Sequence, residues 1–419
     1  MPWYVYLALK QLFPTGRRFP FFTAISVLSV ALGVALLIVV LSVMGGFGYQ
    51  IHQMITDTQG DVQIRSSGFI PNSAPIAAAV GRVPGVVATT PFAQGIVLLE
   101  RGSTPAFPTI QGVDVDTVGK VIPLDRYIRL GSIEDLDDDS IILSAQLAIS
   151  IGARVGDKVE VYSPLQIEKA KNDEVMLARE LTVAGIFEIG HQQLDSSTVI
   201  VTLRLMQDLY GLGHAVHGIN VRLAPDVDAD EAAGRINQAL AKGQGTQWPL
   251  LPGLLARSWR EIDQEFLWVL QLEKNIMTVI LLFVVLVAAF LTMSLLLVLV
   301  MKKTREIGLL SALGGTQKRV AICFCLQGVA IGIVGTLLGL ALGFTFLHFR
   351  DDVVGLVTRF TGSRALLERF YQFSQLPSHT DPRDITIIVI SSLVLSTLAG
   401  AIPAILAARL KPVEALRNE

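Results

Sequence analysis

Two histidines three apart, His214 and His217, and two cysteines two apart, Cys323 and Cys325, are the residues whose types and spacing could hold a metal. A tetrahedral zinc centre takes three or four such ligands. The H-x-x-H pair lies in a glycine-flanked stretch with no third ligand nearby in sequence, and reads as surface histidines. The cysteines, the only two in the chain, fall inside a long apolar run. There they read as small hydrophobes, and the rest of the chain has no disulfide framework. "GGTQK" at 314–318 is too short for the phosphate-binding G-x-x-x-x-G-K-[ST] loop, and H-E-x-x-H and G-x-S-x-G are absent. Catalytic residues, a metal centre and a cofactor of the chain's own are therefore not expected.

What must position any function is set by hydropathy. The 419 residues are 51% hydrophobic and 17% charged, with mean hydropathy +0.54, which describes a membrane protein carrying a water-exposed domain. Four runs exceed the ~20 residues that a helix needs to cross a bilayer: Phe21 to Met44, Ile276 to Met301, Val320 to Leu347 and Ile385 to Ala408. A cleaved signal peptide is the rival reading of the first run, but that run is too long for such a segment and no A-x-A site follows it. None of the runs carries an ionisable residue at its middle, so an intramembrane proton or ion relay is not expected.

Lys and Arg in short flanks orient the spans. Lys10, Arg17 and Arg18 precede the first; Lys302, Lys303, Arg305, Lys318 and Arg319 fill the loop between the second and third; Arg409, Lys411 and Arg417 follow the fourth. Both termini and that loop are expected in the cytoplasm. The expected layout is an interfacial helix at 1–20 with Trp3 and Tyr4 as aromatic anchors, a first span at 21–46 and an outer domain at 47–270. A second span at 271–301, a cytoplasmic helix at 302–319 and a third span at 320–347 follow, then an outer loop at 348–384, a fourth span at 385–408 and a tail at 409–419. The formal net charge of −2 hides an asymmetry: the outer domain has about 17 basic and 27 acidic residues, so nucleic acid is an unsuitable partner.

The outer domain reads as mixed α/β in two lobes. "DVQIRS" at 61–66 and "DKVEVYS" at 157–163 alternate as strands, "STVIVTL" at 197–203 is a buried-strand run, and helices are predicted near Leu203 to Tyr210 and Asp228 to Leu240. The polar insert within "SPLQIEKAKNDEVMLARELTV", 163–183, is flanked by strand-like runs and predicts a long hairpin, which by itself is a solvated loop. "SWREIDQEFLWVLQLEKNIM" predicts a helix running unbroken from this domain into the second span. The third span spaces Gly328, Gly332, Gly335, Gly339 and Gly343 for close helix packing. Gly400 and Pro403 predict a kink in the fourth.

"MKKTREIGLLSALGGTQKRV", 301–320, lies between two spans. Ile307, Leu310 and Leu313 fall on one helical face, Lys303 and Glu306 on another, and Gly314-Gly315 supplies a stop. Pattern alone fits equally a cationic helix resting on lipid headgroups and a helix docking on another protein.

"TREIGLLSALGGTQKRV" resembles the cytoplasmic segment of the FtsX/MacB-type permeases of ABC transporters, and the four-span layout matches as well. Within that superfamily "SVLSVALGVALLIVVLSVMGGF", "LEKNIMTVILLFVVLVAAF" and "KPVEALRNE" are most similar to the LolC/LolE permeases, which extract lipoproteins from the inner membrane. The likeness covers essentially the whole chain and is weakest in the outer domain; after "VAAF" this chain has Leu291-Thr292-Met293 where those permeases commonly continue with Asn.

The resemblance implies a dimer of permease chains in the bacterial inner membrane, bound to cytoplasmic ATPase subunits that hold ATP and Mg, together with a lipoprotein substrate, membrane lipids and a soluble periplasmic carrier. It implies contact with the ATPase through Lys303, Arg305, Glu306, Ile307, Leu310, Leu313 and Gly314. Val40, Met44 and Phe47, an apolar stripe at i, i+4 and i+7, and Phe290 are implied to line an acyl-chain cavity, and the insert around Pro164, Leu165, Gln166 and Arg179 to meet the carrier. Two further expectations stay open: a MacB-like efflux permease, and an FtsX-like scaffold that activates a cell-wall hydrolase.

Overall fold

The computed structural model describes residues 6, 21–102, 104–163, 178–189, 196–312, 316–361 and 377–408. Among these residues are four helices long and apolar enough to cross a membrane, with a mixed α/β domain inserted between the first and second, as the hydropathy pattern leads one to expect. The described residues form two compact units, one made of 50–268 and the other of 21–49, 269–361 and 377–408.

The first long helix, α1 (Phe21–Gln59), has 39 residues, about 58 Å at 1.5 Å per residue against a hydrocarbon core of about 30 Å. It therefore continues well past position 46, and its last turns pack with the inserted domain. Gly60, at φ 76°, ends it.

The inserted domain is built on strands β1 (Val62–Ile70), β2 (Val86–Ile96), β3 (Leu98–Arg101), β4 (Thr104–Ala106), β5 (Thr109–Val113), β6 (Ile128–Gly131), β7 (Ser140–Ser144), β8 (Lys158–Tyr162), β9 (Arg179–Phe187), β10 (Thr198–Thr202), β11 (Val216–Leu223) and β12 (Leu255–Ser258). They join one sheet in the order β12-β1-β11-β2-β5-β10-β7-β9-β8-β3-β4, with β6 on β9. Most pairs are antiparallel, but β5 with β10 and β7 with β9 run parallel. The short helices α2 (Ala74–Val80), α3 (Val115–Val121), α4 (Ala145–Ile151), α5 (Leu203–Tyr210), α6 (Ala229–Gly243) and α7 (Trp259–Ile262) cover it.

The caps explain the helix ends. The Thr202 side chain accepts from the Leu205 N–H at the start of α5, and left-handed Gly211 closes that helix. Asp228 accepts from the N–H groups of Asp230 and Glu231 at the start of α6. In place of two separate lobes the domain is one compact unit on one sheet, whose buried residues gather in three clusters: one around Ile64, Ile219, Ile236 and Trp259, one around Leu99, Ile141, Val161 and Met206 and one around Val121, Ile142 and Phe187.

Beyond α7 the backbone turns at Asp263 (φ −100°, ψ 26°) before α8 (Gln264–Lys302) begins. The single helix expected over 258–277 is thus two helices. Trp259 explains the turn: it is buried in the domain core with the His52 ring stacked on it at 4.2 Å, so α7 is held by the domain.

The helices α9 (Thr304–Ala312), α10 (Gln317–His348), α11 (Arg350–Thr361) and α12 (Pro382–Ala408) complete the membrane unit. The α10 glycines work on two sides. A β-carbon on Gly328 would meet the Gly400 Cα at 3.0 Å and one on Gly332 the Ser396 Cβ at 2.8 Å, both on α12. Gly335, Gly339 and Gly343 instead press on Val30, Val34 and Ile38 of α1. A Thr336–Ser392 hydrogen bond of 3.0 Å adds polar glue between α10 and α12. The helix α12 continues through Pro403.

Candidate functional site

The implied cavity residues sit on the C-terminal half of α1 and on α8. Val40 is half-buried and packs on the core of the membrane unit beside Ile38 and Leu41. Met44 and Phe47 are half-buried. Phe290, on α8, is 65% exposed.

Between Met44 and Phe47 the helix carries Gly45 and Gly46, and here the segment 377–380 crosses it. A β-carbon on Gly46 would lie 2.5 Å from the Pro377 carbonyl carbon, and one on Gly45 2.7 Å from the His379 carbonyl oxygen. The His379 N–H donates to the Ser42 carbonyl (2.9 Å), the Thr380 hydroxyl to the Ser42 hydroxyl (3.1 Å), and the His379 ring stacks on Tyr49 at 4.9 Å. Lys274 of α8 pairs with Asp384 of α12 at 3.1 Å. Only glycines admit that backbone so close, which is why "MGGF" interrupts an otherwise bulky run.

An aliphatic groove of about 400 Å³ opens between α1 and α8, lined by Ile25, Leu28, Leu32 and Leu36 on one side and Val287 and Leu291 on the other. Gly33 narrows it, since a β-carbon there would be 3.8 Å from the Ala288 Cβ. Its polar lining is Ser29. Leu28, Leu32 and Leu36, at i, i+4 and i+8, are 53%, 56% and 44% exposed, and such a face suits alkyl chains. Val40, Met44, Phe47 and Phe290 do not line this groove. Sequence reading missed the leucine row because in an all-apolar helix no polar face marks which side is which.

On α9, Lys303 bridges both carboxylate oxygens of Glu306 at 2.7 Å, and Arg305 is exposed. Ile307 turns inward: at 3% exposure it packs with Val300, Val320, Phe324 and Ala404. It braces the helix from within instead of presenting a surface, while Leu309, absent from the expected set, is 56% exposed. Leu310 lies on α9; Leu313 and Gly314 fall outside the described residues.

The predicted hairpin has paired flanks. Strands β8 and β9 are antiparallel with Val161 opposite Arg179, and Arg179 reaches Asp139 at 2.6 Å. Pro164, Leu165 and Gln166 fall outside the described residues. Of the two histidines, His214 is exposed, and His217 Nδ1 accepts from the Gln94 N–H at 3.2 Å; burial, then nearby Arg65, lowers the His217 pKa below the ordinary imidazole value.

Four long apolar helices, an aliphatic groove between two of them and a sheet domain inserted after the first define a four-span membrane protein with an elaborate insertion. Residues 23–239 match the MacB-like periplasmic core domain model, and residues 278–412 the FtsX-like permease C-terminal model. The chain belongs to this family of MacB-like and FtsX-like permeases. It is similar to the lipoprotein-releasing system transmembrane protein LolC of Neisseria meningitidis serogroup B, at 29% identity over 405 residues, which cover 95% of this chain and 94% of that one. From Haemophilus influenzae, LolE is 24% identical over 94% of this chain and 93% of its own, and LolC 24% identical over 95% and 93%.

Proposed function

We propose that this chain is the permease subunit of an ATP-driven transporter that lifts lipoproteins out of the outer leaflet of the bacterial inner membrane and hands them to a periplasmic carrier. The observation that carries the reading is the near full-length similarity to lipoprotein-releasing permeases of both types. The aliphatic groove between α1 and α8 supports it, because what must be matched in such a cargo is hydrocarbon.

Each methylene moved from water to an apolar site gains roughly 0.8 kcal/mol. Taking several acyl chains out of lipid without a receiver therefore costs on the order of tens of kcal/mol. The transporter needs an energy source and an apolar destination. In this reading both termini and α9 face the cytoplasm, α9 meets an ABC ATPase that binds ATP and Mg, and a second permease chain completes the cavity. Met44 and Phe47 meet acyl chains beside the Gly45-Gly46 crossing, and the β8–β9 insert engages the carrier.

The test is release. The chain is reconstituted with its ATPase in liposomes carrying a triacylated lipoprotein, ATP and a carrier are added, and soluble cargo is measured. Release that requires both ATP and carrier supports the proposal; ATP hydrolysis without release, with verified cargo and carrier, favours efflux or signalling instead.

A further inference from the structure

The inserted domain holds a second, chemically different cavity, a cleft of about 970 Å³, near the upper end for small-molecule sites. Its floor is one face of the sheet. Strands β1, β11 and β12 turn Val62, Ile64, Ile219, Val221 and Ala256 into the core, and the alternation sends their polar neighbours to the other face.

Gln63 stands in register with Arg257 on β12 and Asn220 on β11, and Gln94 on β2 with Gln111 on β5; all five line the cleft, as does Arg65. Ile51, Met54, Ile55, Ile262 and Phe266 add apolar lining.

The floor is only partly satisfied from within. Gln63 Nε2 donates to Asn220 Oδ1 (2.8 Å) and Arg65 Nε to Gln63 Oε1 (2.7 Å). That leaves the two terminal nitrogens of Arg65 with no acceptor, and Arg65 with no carboxylate partner, among the described residues. Its guanidinium is held over the Phe92 ring at 5.3 Å from the centroid. The side-chain amides of Gln94 and Gln111 have no hydrogen-bond partner among the described residues. Asp263, also lining the cleft, has a buried Oδ2 without a donor among the described residues, and burial raises the pKa of its carboxyl above the ordinary value.

These groups discriminate between ligands. An alkyl chain here would strip water from a guanidinium and two amides without replacing their bonds. A polyanion would meet two arginines in a domain with an acidic excess. Side-chain amides both donate and accept, and on neighbouring strands they are spaced at ~4.8 Å. The Gln94 and Gln111 amides, side by side on β2 and β5, offer donors and acceptors to the C=O and N–H groups of an extended polypeptide, with Arg65 placed for a carbonyl or a side-chain carboxylate.

We infer that this cleft binds an extended, polar polypeptide segment bearing a carboxylate: the unlipidated stretch of cargo that follows its acylated residue. The inference rests on the lipoprotein reading above and adds a peptide-binding site to its lipid site.

Two synthetic lipopeptides with the same triacylated cysteine separate the two readings, one ending after two residues and one continuing for ten unstructured residues that include aspartate. Their binding is measured on the full permease–ATPase assembly, and photo-crosslinking is read from a benzoylphenylalanine at position 111. The longer lipopeptide is expected to bind more tightly and to crosslink. Arg65→Ala is expected to lower its affinity about tenfold, the worth of a charged hydrogen bond, while sparing the short one; Arg65→Lys is expected to restore part of it. Equal affinities with no effect of Arg65→Ala overturn the cleft assignment and leave lipoprotein binding standing. Failure of both lipopeptides to bind overturns the lipoprotein reading and the inference with it. A crosslink to the second permease chain in place of the peptide makes the cleft a subunit contact and overturns the assignment.

Discussion

Gly339 of α10 lies so close to Val34 of α1 that a β-carbon on the glycine would sit 2.6 Å from the Val34 Cβ. Val30 and Ile38 meet Gly335 and Gly343 in the same way, one turn to either side. Where lipid removes the hydrophobic drive for helix association, such close packing is what holds the first span to the third.

Gly339→Leu is therefore expected to cost at least the ~1–3 kcal/mol of an overpacked core, read as a lowered melting temperature in detergent or a loss of folded yield. Gly48→Ala, with no described atom within 4 Å of the new methyl, is the control at an open helix position and is expected to be silent. Equal behaviour of the two variants would refute the packing assignment.

Within the inserted domain, Asp57 accepts from the Tyr127 hydroxyl (2.8 Å) and pairs with Arg222 (3.2 Å). Asp57→Ala removes the nearest carboxylate of the partly buried Arg222 but leaves it Asp61 at 3.8 Å and the Val121 carbonyl, and a loss of about 1.5–3 kcal/mol is expected in denaturant titrations. Tyr127→Phe removes one hydrogen bond and is expected to cost about 1–2 kcal/mol.

The same tyrosine gives a pH test. Burial, together with the bond to Asp57, pushes the Tyr127 pKa up to about 12, above the ordinary value near 10. The folded state thus holds the phenolic proton more tightly than the unfolded one. Its contribution is fully present below pH 10 and is lost as the pH rises toward 12. The stability gap between the native chain and Tyr127→Phe should shrink across that window; a constant gap would remove Tyr127 from the alkaline transition.

The pair Glu306→Arg and Leu310→Arg tests α9. The Lys303–Glu306 pair is partly exposed, so its loss costs at most ~1 kcal/mol and membrane insertion should persist, while copurification of the ATPase is expected to disappear. Undiminished copurification sinks the docking role. Leu309→Arg reports separately on the exposed side of α9.

Two variants divide the lipid path. Met44→Ala with Phe47→Ala is expected to lower lipoprotein release several-fold with ATP hydrolysis retained. Leu32→Asn, which places an amide in the α1–α8 groove, should do the same if acyl chains pass there, and should leave release unchanged if the path is confined to the Gly45-Gly46 end.

The sequence by itself determined the four membrane helices, since a long apolar run in lipid can satisfy its backbone only as a helix. It also determined the helix Leu203–Tyr210, whose two ends are closed by neighbours in sequence, Thr202 and Gly211, and the strands β1, β8 and β10, where side-chain alternation or a short apolar run is a local signal. Sheet order was not legible, because pairings such as β5 with β10 join segments some ninety residues apart and no local pattern encodes a distant partner. The side on which each α10 glycine works and the leucine row of the groove were hidden for a second reason: in helices apolar on every face, periodicity cannot separate lipid-facing from protein-facing sides. Ile307 did stand on an apolar face of α9, but that this face packs against α8, α10 and α12 was a tertiary outcome. Gln63 falls in the strand predicted at 61–66, no local pattern singles out Gln94 or Gln111, and only the tertiary structure gathered the three beside Arg65, because a sheet collects on one face residues that the chain keeps far apart.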